Sequence, residues 1–257
     1  MKRHFVRTKN FDALELGVES LAECGAREAR WMLNTARPGE GKTTNLNHLA
    51  SRMGAVFITA QQGWRPTQMI AALAHEMGIV PGRDPNEAIG EALAGHSAEG
   101  RIVIVDEAQF ALQGGAACLE RLRGITDKSA TPVILVAMAD DVEKFGKREQ
   151  ISSRIFSWVR FEPTDKEDVG RACQELAEVQ IGPDLIARIH ADSAGRMRDV
   201  VKAISRIEMV AKALGKEHVS AADLRHTTLV ENYLSGIVGK TAKRPAGAAR
   251  AMRGSAV

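Results

Sequence analysis

Residues 31–44 read Trp-Met-Leu-Asn-Thr-Ala-Arg-Pro-Gly-Glu-Gly-Lys-Thr-Thr, an apolar run of strand length that empties into a glycine-containing loop ending in Lys-Thr-Thr. This order constrains the fold more than any other feature of the chain. A buried strand that feeds such a loop and then a helix brings backbone N–H groups and a helix N-terminus together around a phosphate. The spacing fits the P-loop pattern GxxxxGK[ST] from Ala36 to Thr43. Gly39 and Gly41 let the backbone approach the phosphates, Lys42 supplies a cation to the β and γ oxygens, and Thr43 offers a hydroxyl to Mg²⁺. Thr44 completes the nucleotide-binding set. Ala36 stands where the pattern has its first glycine, which is tolerable if its φ is negative. Glu40 puts a carboxylate in an anion-binding loop, so its side chain is expected to point away.

A second motif follows downstream: Arg101-Ile102-Val103-Ile104-Val105-Asp106-Glu107-Ala108-Gln109, four apolar strand formers ending in two carboxylates. After a P-loop this is Walker B chemistry. Asp106, at the strand end, holds Mg²⁺ through its water shell, and Glu107 polarises the attacking water as general base. The second carboxylate favours hydrolysis over nucleotide sensing, which can dispense with it. ATP and Mg²⁺ are the implied cofactors.

Around these motifs, strand-like and helix-like segments alternate, the pattern of a parallel sheet covered by helices. Strands are predicted at residues 31–35, 55–59, 101–105, 132–137 and 157–161, with helices at 43–53 and 67–77. From Asp165 onward only helices are expected, at residues 165–179, 183–191, 197–214 and 220–234, with Pro183 at a first helical position and Ser220 as an N-cap. The expected organisation is an N-terminal arm and helix (1–30), an α/β domain with a five-stranded parallel sheet (31–163), a small helical lid domain (164–235) and a basic tail (236–257).

Charge and composition narrow the partners. The net charge is +3, but residues 236–257 carry Lys240, Lys243, Arg244, Arg250 and Arg253 and no acid, which leaves −2 for residues 1–235. The tail is rich in Gly, Ala and charge and is expected to be disordered, either touching nucleic acid phosphates or serving as a solubilising end. Cys24, Cys118 and Cys173 are widely spaced with no CxxC pair, which suggests neither a disulfide framework nor a zinc site. No stretch has the roughly 18 apolar residues of a membrane span, and nothing at the N-terminus reads as a signal peptide, so a cytoplasmic protein without membrane contact is expected.

The order strand, P-loop, Asp106-Glu107-Ala108-Gln109, polar-tipped strand, Arg-bearing segment and helical lid resembles AAA+ ATPases. Within them it resembles the transposition ATPases exemplified by the B protein of phage Mu, over roughly residues 5–234. The resemblance implies an AAA+ P-loop NTPase fold and three further sites. The sensor 1 position falls at Met138, followed by Ala139-Asp140-Asp141, so that sensor is absent, shifted to Asp140 or displaced in register. Slow hydrolysis, stimulated by assembly or DNA, would follow from its absence. Ser153-Arg154-Ile155 matches the segment that gives an arginine finger to the neighbouring subunit, with Arg148 the nearest competitor. Ala194-Gly195-Arg196-Met197-Arg198 resembles the sensor 2 turn, in which Arg198 reaches the γ-phosphate and Arg196 is the alternative. The arm around Val6 and Phe11 resembles the segment that packs on adenine, or else is a strand-like arm anchored by Phe5 and Phe11.

Two functional classes follow. In one, the protein assembles with copies of itself, as a ring or helix, on duplex DNA without sequence preference and delivers that DNA to a transposase, in the host cytoplasm if phage-encoded. In the other, it is an AAA+ ATPase acting on protein partners, secretion-associated or loading a replicative enzyme. Arg65, beside Gln61, Gln62 and Trp64, and Arg121, Arg123 and Lys128 are the candidates for a DNA-facing surface.

Overall fold

The computed structural model describes residues 1–26, 28–80 and 84–231. Its strands are β1 (Trp31–Ala36), β2 (Val56–Thr59), β3 (Val103–Asp106), β4 (Val133–Met138) and β5 (Ile155–Arg160). They pair in the order β2-β3-β4-β1-β5, and every pairing is parallel. Parallel neighbours need a crossover, and the helices that supply it cover both faces of the sheet. That double burial is why the central strands read as continuous apolar runs. Val103, Val105, Val133 and Leu135 pack against α3 (Pro66–Glu76), α4 (Pro85–Ala98) and α5 (Ala117–Ser129). Ile102, Ile104, Ile134 and Val136 face α1 (Lys9–Glu23) and α2 (Lys42–Met53) on the other side. Short helices α6 (Val142–Gly146) and α7 (Glu149–Ser152) lead into β5.

Parallel strands place all their C-terminal ends on one edge. The phosphate loop after β1, Asp106 and Glu107 at the end of β3, and Met138 at the end of β4 therefore converge there, at the usual ligand edge of an open α/β sheet.

Beyond the sheet, α8 (Lys166–Leu176), α9 (Pro183–Ser193) and α10 (Met197–Leu214) surround a core of their own that includes Val169, Leu185, Ile189, Val200, Ile204 and Ile207. Each such side chain contributes about 1.5–3 kcal/mol when fully buried. Two short parallel strands, β6 (Gln180–Ile181) and β7 (His218–Val219), close this region, and Val6 of the N-terminal arm packs into the same core. Asn10 ties α1 to the segment between β5 and α8 with two bonds, donating to the Glu162 carbonyl at 2.8 Å and accepting from its N–H at 2.9 Å.

Several sequence expectations need correction. No helix forms at residues 221–231, which are turns and bends, while 232–234 lie outside the described residues, as does the expected tail at 236–257. Ser220 gives both its N–H and its hydroxyl to Asp223, at 2.9 and 3.0 Å, and closes a local turn in place of capping a helix. β5 starts at Ile155, two residues before the expected Ser157, and α8 stops at Leu176. Helix α4 was not expected, although Asp84-Pro85 is a cap and first-turn pair: the Asp84 carboxylate accepts from the N–H groups of Asn86 and Glu87.

Candidate nucleotide-binding site

Ala36 closes β1 fully buried, and positive φ begins only at Gly39 and Gly41, at 91° and 89°. An L side chain in that region costs roughly 1–2 kcal/mol, so glycine is needed at these two positions and not at Ala36. Gly41 is the N-cap of α2, which leaves the first-turn N–H groups of Lys42, Thr43 and Thr44 without intrahelical acceptors. Glu40 turns its carboxylate to the backbone of its own loop. It is buried, and its carboxylate accepts from the Arg37 N–H at 2.7 Å, bracing the loop from within.

Lys42 is buried, and its ammonium donates to the Ala137 carbonyl at 3.2 Å and rests at 3.2 Å from the Met138 sulfur. Burial pushes its pKa down from 10.5, against the opposing charges of Glu107, Asp106, Asp141 and Glu40. Asp106 is also buried. Burial pushes its carboxyl up and the neighbouring Glu107 adds to this, while the Glu107 N–H, Lys42 and the Thr43 hydroxyl oppose it. A desolvated cation and a desolvated anion thus share the site, and for each the cost of burial outweighs the attraction of its opposite charges. The Thr43 hydroxyl lies 3.5 Å from Asp106 Oδ2, so two hard oxygen donors flank one point, a donor set that suits Mg²⁺.

Glu107 has a left-handed backbone, φ 52°, and its N–H donates to Asp106 Oδ1 at 2.8 Å. Its carboxylate accepts a hydrogen bond from the Gln109 side-chain amide.

Gly39, Gly41, Lys42, Thr43 and Glu107 line a cleft of about 480 Å³, together with Val6, Thr44, Leu176, Met197, Arg198 and Val201. The lid is fastened to the loop directly, because the Arg198 N–H donates to the Gly39 carbonyl at 3.0 Å. Arg196 turns its side chain to Asp199 at 2.7 Å, whereas the Arg198 side chain lines the cleft and has no partner among the described residues. Of the two arginines weighed for the sensor 2 role, Arg198 is therefore the one free to meet a ligand.

The structure brings Gly39, Gly41, Lys42, Thr43, Thr44, Glu107 and Arg198 around the cleft, with Asp106 directly behind Thr43. It leaves Arg154 elsewhere. That residue lies at the N-terminal edge of the sheet, where its carbonyl accepts from Trp31 N–H, and its guanidinium grips Asp127 through Nε at 3.2 Å and Nη2 at 3.0 Å. The Asp127 bond, with added attraction from Glu28 and Glu120, raises its pKa further. Met138, where the resemblance puts sensor 1, lines the cleft, and Asp140 is exposed and does not. Val6 lines the cleft, but Phe11 is buried under the sheet and cannot meet a base. Among the DNA-surface candidates, Arg123 is held by Glu120 and Asp127, and Trp64 packs on the core. Leu176, Met197 and Val201 were missed, because only lid docking brings them to the loop.

A parallel sheet in this strand order, with a P-loop after β1 and a helical unit fastened over that loop, is the fold of an AAA+ P-loop NTPase. Residues 26–145, a little under half of the chain, match the family model of an AAA domain. Among solved structures, the chain is similar to Cdc6p from Pyrobaculum aerophilum (21% identity, 87% of this chain and 68% of that one, TM-score 0.61). It is also similar to RuvB from Thermotoga maritima, a Holliday junction branch migration motor (18%, 86% and 68%, TM-score 0.58). A third is the Aeropyrum pernix ORC1 protein in complex with DNA (21%, 82% and 63%, TM-score 0.54). At these identities the likeness is one of fold. No curated protein matches the chain.

Proposed function

We propose that the protein is an ATPase that assembles with copies of itself on duplex DNA and delivers that DNA to a transposase. The observation that carries the ATPase reading is the convergence of Lys42, Thr43, Glu107 and Arg198 on one cleft, with Asp106 behind them. Lys42 and the loop N–H groups hold the β and γ phosphates, and Val6, Leu176 and Val201 give the nucleotide an apolar wall. Glu107 takes the proton of the attacking water, a contribution of about 10²–10⁴ in rate. Arg198 meets charge on the transferred phosphoryl group. Thr43 and Asp106 would hold Mg²⁺, which supplies positive charge to the phosphate oxygens.

Self-assembly is supported by the edge strand β5, which exposes Phe156 and Trp158 by about half, a surface that favours cover. An arginine finger supplied by Arg154 to a neighbour belongs to the same reading. DNA as partner is supported by the fold likeness to Cdc6p, RuvB and a DNA-bound ORC1. Transposition is supported by the Asp106-Glu107-Ala108-Gln109 variant after this P-loop. Action in the cytoplasm fits the observation that, among the described residues, no helix is long and apolar enough to cross a membrane.

One observation favours the second reading, an ATPase acting on protein partners: residues 1–235 sum to −2, whereas DNA binding needs clustered positive charge. Sedimentation and turnover with and without duplex DNA decide between them. ATP-dependent retention on DNA that weakens as salt rises supports the first. Neither retention nor stimulated turnover in ATP leaves the second.

A further inference from the structure

Next to the nucleotide cleft lies a second cavity of about 530 Å³, lined by Gln109, Phe110 and Gln113 after β3 and by Lys144, Lys147 and Arg148 from α6 and the residues that follow it. One carboxylate, Asp141, also lines it, and pairs with Lys144 at 2.5 Å. Among the described residues Lys147 meets only Glu143, at 3.7 Å with both side chains largely exposed, a pair worth little in water. The Arg148 side chain has no partner among the described residues. Two cations are therefore uncommitted, and amide donors and an aromatic ring complete the wall. The larger groove between α4 and α5 differs, since Asp84, Glu87, Glu91 and Glu120 line it along with Arg121, Arg123 and Lys128, and its charge is mixed.

Gln109 lines the second cavity and reaches the nucleotide cleft through Glu107. Its amide nitrogen donates to the Glu107 carboxylate while its own carbonyl oxygen is buried without a partner. A buried carbonyl left unpaired is costly, so this arrangement persists mainly through the charge-assisted bond to Glu107. A phosphodiester oxygen in the second cavity offers the same amide an equally charged acceptor. Exchange between the two is close to balanced, and attraction from Lys147 and Arg148 tips it toward the phosphate.

We propose that the second cavity receives a backbone phosphate of duplex DNA and that Gln109 is the positioning residue linking it to catalysis. Without DNA, Gln109 holds the Glu107 carboxylate. With a phosphate in place, Gln109 turns to it, and Glu107 is free to accept the proton of the attacking water. This rests on the ATPase and DNA reading above.

The test uses the full chain, a duplex DNA, a fluorescent ATP analogue to confirm that each variant still binds nucleotide, and turnover with and without DNA. Lys147→Glu should weaken DNA retention by ~10-fold and flatten its dependence on salt. Gln109→Ala should raise turnover in the absence of DNA toward the stimulated wild-type rate, after which DNA adds little. Gln109→Met, which keeps the length without the amide, should do the same. A merely structural Gln109 would only lower turnover. Slower basal turnover with stimulation intact in both Gln109 variants overturns the link, and a wild-type salt slope in Lys147→Glu overturns the site. Stimulation by polyglutamate equal to that by DNA overturns the choice of nucleic acid. If wild-type protein hydrolyses ATP but neither binds DNA nor responds to it, the functional reading itself fails. If it does both and the variants behave as wild type, only this inference fails.

Discussion

Gly195 sits where the lid meets the sheet, and replacing it by alanine separates two kinds of cost. Its φ is 72°, directly after Ala194 at 49°, and its carbonyl accepts the Thr164 N–H at 2.8 Å. A Cβ added here would lie 2.7 Å from Pro163 Cβ, 2.9 Å from the Thr164 carbonyl oxygen and 3.0 Å from the Thr164 nitrogen. Two of those atoms are backbone, so the linker between β5 and α8 must shift. Left-handed strain costs ~1–2 kcal/mol and the overlap ~1–3 kcal/mol, which puts Gly195→Ala at ~2–5 kcal/mol. Gly215 is the control, because it has φ 64° with nothing within 4 Å of the added Cβ. Gly215→Ala should therefore cost only ~1–2 kcal/mol. Urea unfolding at matched slopes reads both values. Nucleotide titration adds a functional readout, since the Arg198 N–H that holds the Gly39 carbonyl lies just downstream of Gly195. ATP affinity should fall in Gly195→Ala and hold in Gly215→Ala. Equal stability of the two variants, with equal ATP affinity, would refute the reasoning.

Glu107→Gln should retain ATP while turnover drops by ~100-fold or more, measured as single-turnover hydrolysis beside equilibrium binding. A normal rate removes the base assignment. Burial lowers the Lys42 pKa, so the cation needed by the phosphates is lost as pH rises, and ATP affinity should start to decline below the ordinary lysine value of 10.5. Titrations at increasing pH check this against Lys42→Ala, which should bind weakly throughout. For Asp106 the folded pKa is raised, so the folded state is favoured below the ordinary value of 3.8 and penalised above it. Asp106→Asn should therefore raise the melting temperature of nucleotide-free protein at neutral pH, by the equivalent of about 1 kcal/mol, and a lower melting temperature counts against the account.

How much could be read in advance depended on whether the signal was local. The P-loop was legible because a strand end, two glycines at positive φ and Lys42 are consecutive in the chain, and β3 because four apolar β-formers ending in two carboxylates have few other places to go. Helix α10 was legible over the span the structure gives it, Met197–Leu214. Residues 220–231 misled because a serine with an aspartate three residues on can start a helix or close a turn with the same hydrogen bonds, and the packing around Val219 and Leu224 bears on which forms. Val6, Leu176, Val201 and Gln109 reach the site through docking or through a side-chain bond, and no spacing in the sequence encodes either.

Arg154 shows the limit most clearly. The motif Ser153-Arg154-Ile155 predicts a position before β5, and the structure agrees, but the partner of that arginine could not be read from the motif. Asp127 comes from the end of α5 and grips both Nε and Nη2, and Arg123 approaches the same carboxylate at 3.4 Å. For Arg154 to reach a neighbour's phosphate, the Asp127 pair must first open, which costs about 1.5–3 kcal/mol for a hydrogen bond to a charged group. That cost falls on assembly and must be offset by the γ-phosphate and by cover of Phe156 and Trp158. A mixture of Glu107→Ala protein, which keeps Arg154, and Arg154→Ala protein, which keeps Glu107, should then recover activity that neither has alone. Asp127→Ala, which releases Arg154 in advance, should shift assembly in ATP to lower protein concentration. If instead Arg154→Ala is fully active, Arg154 serves only to hold α5 to β5, and Arg148 becomes the arginine to examine.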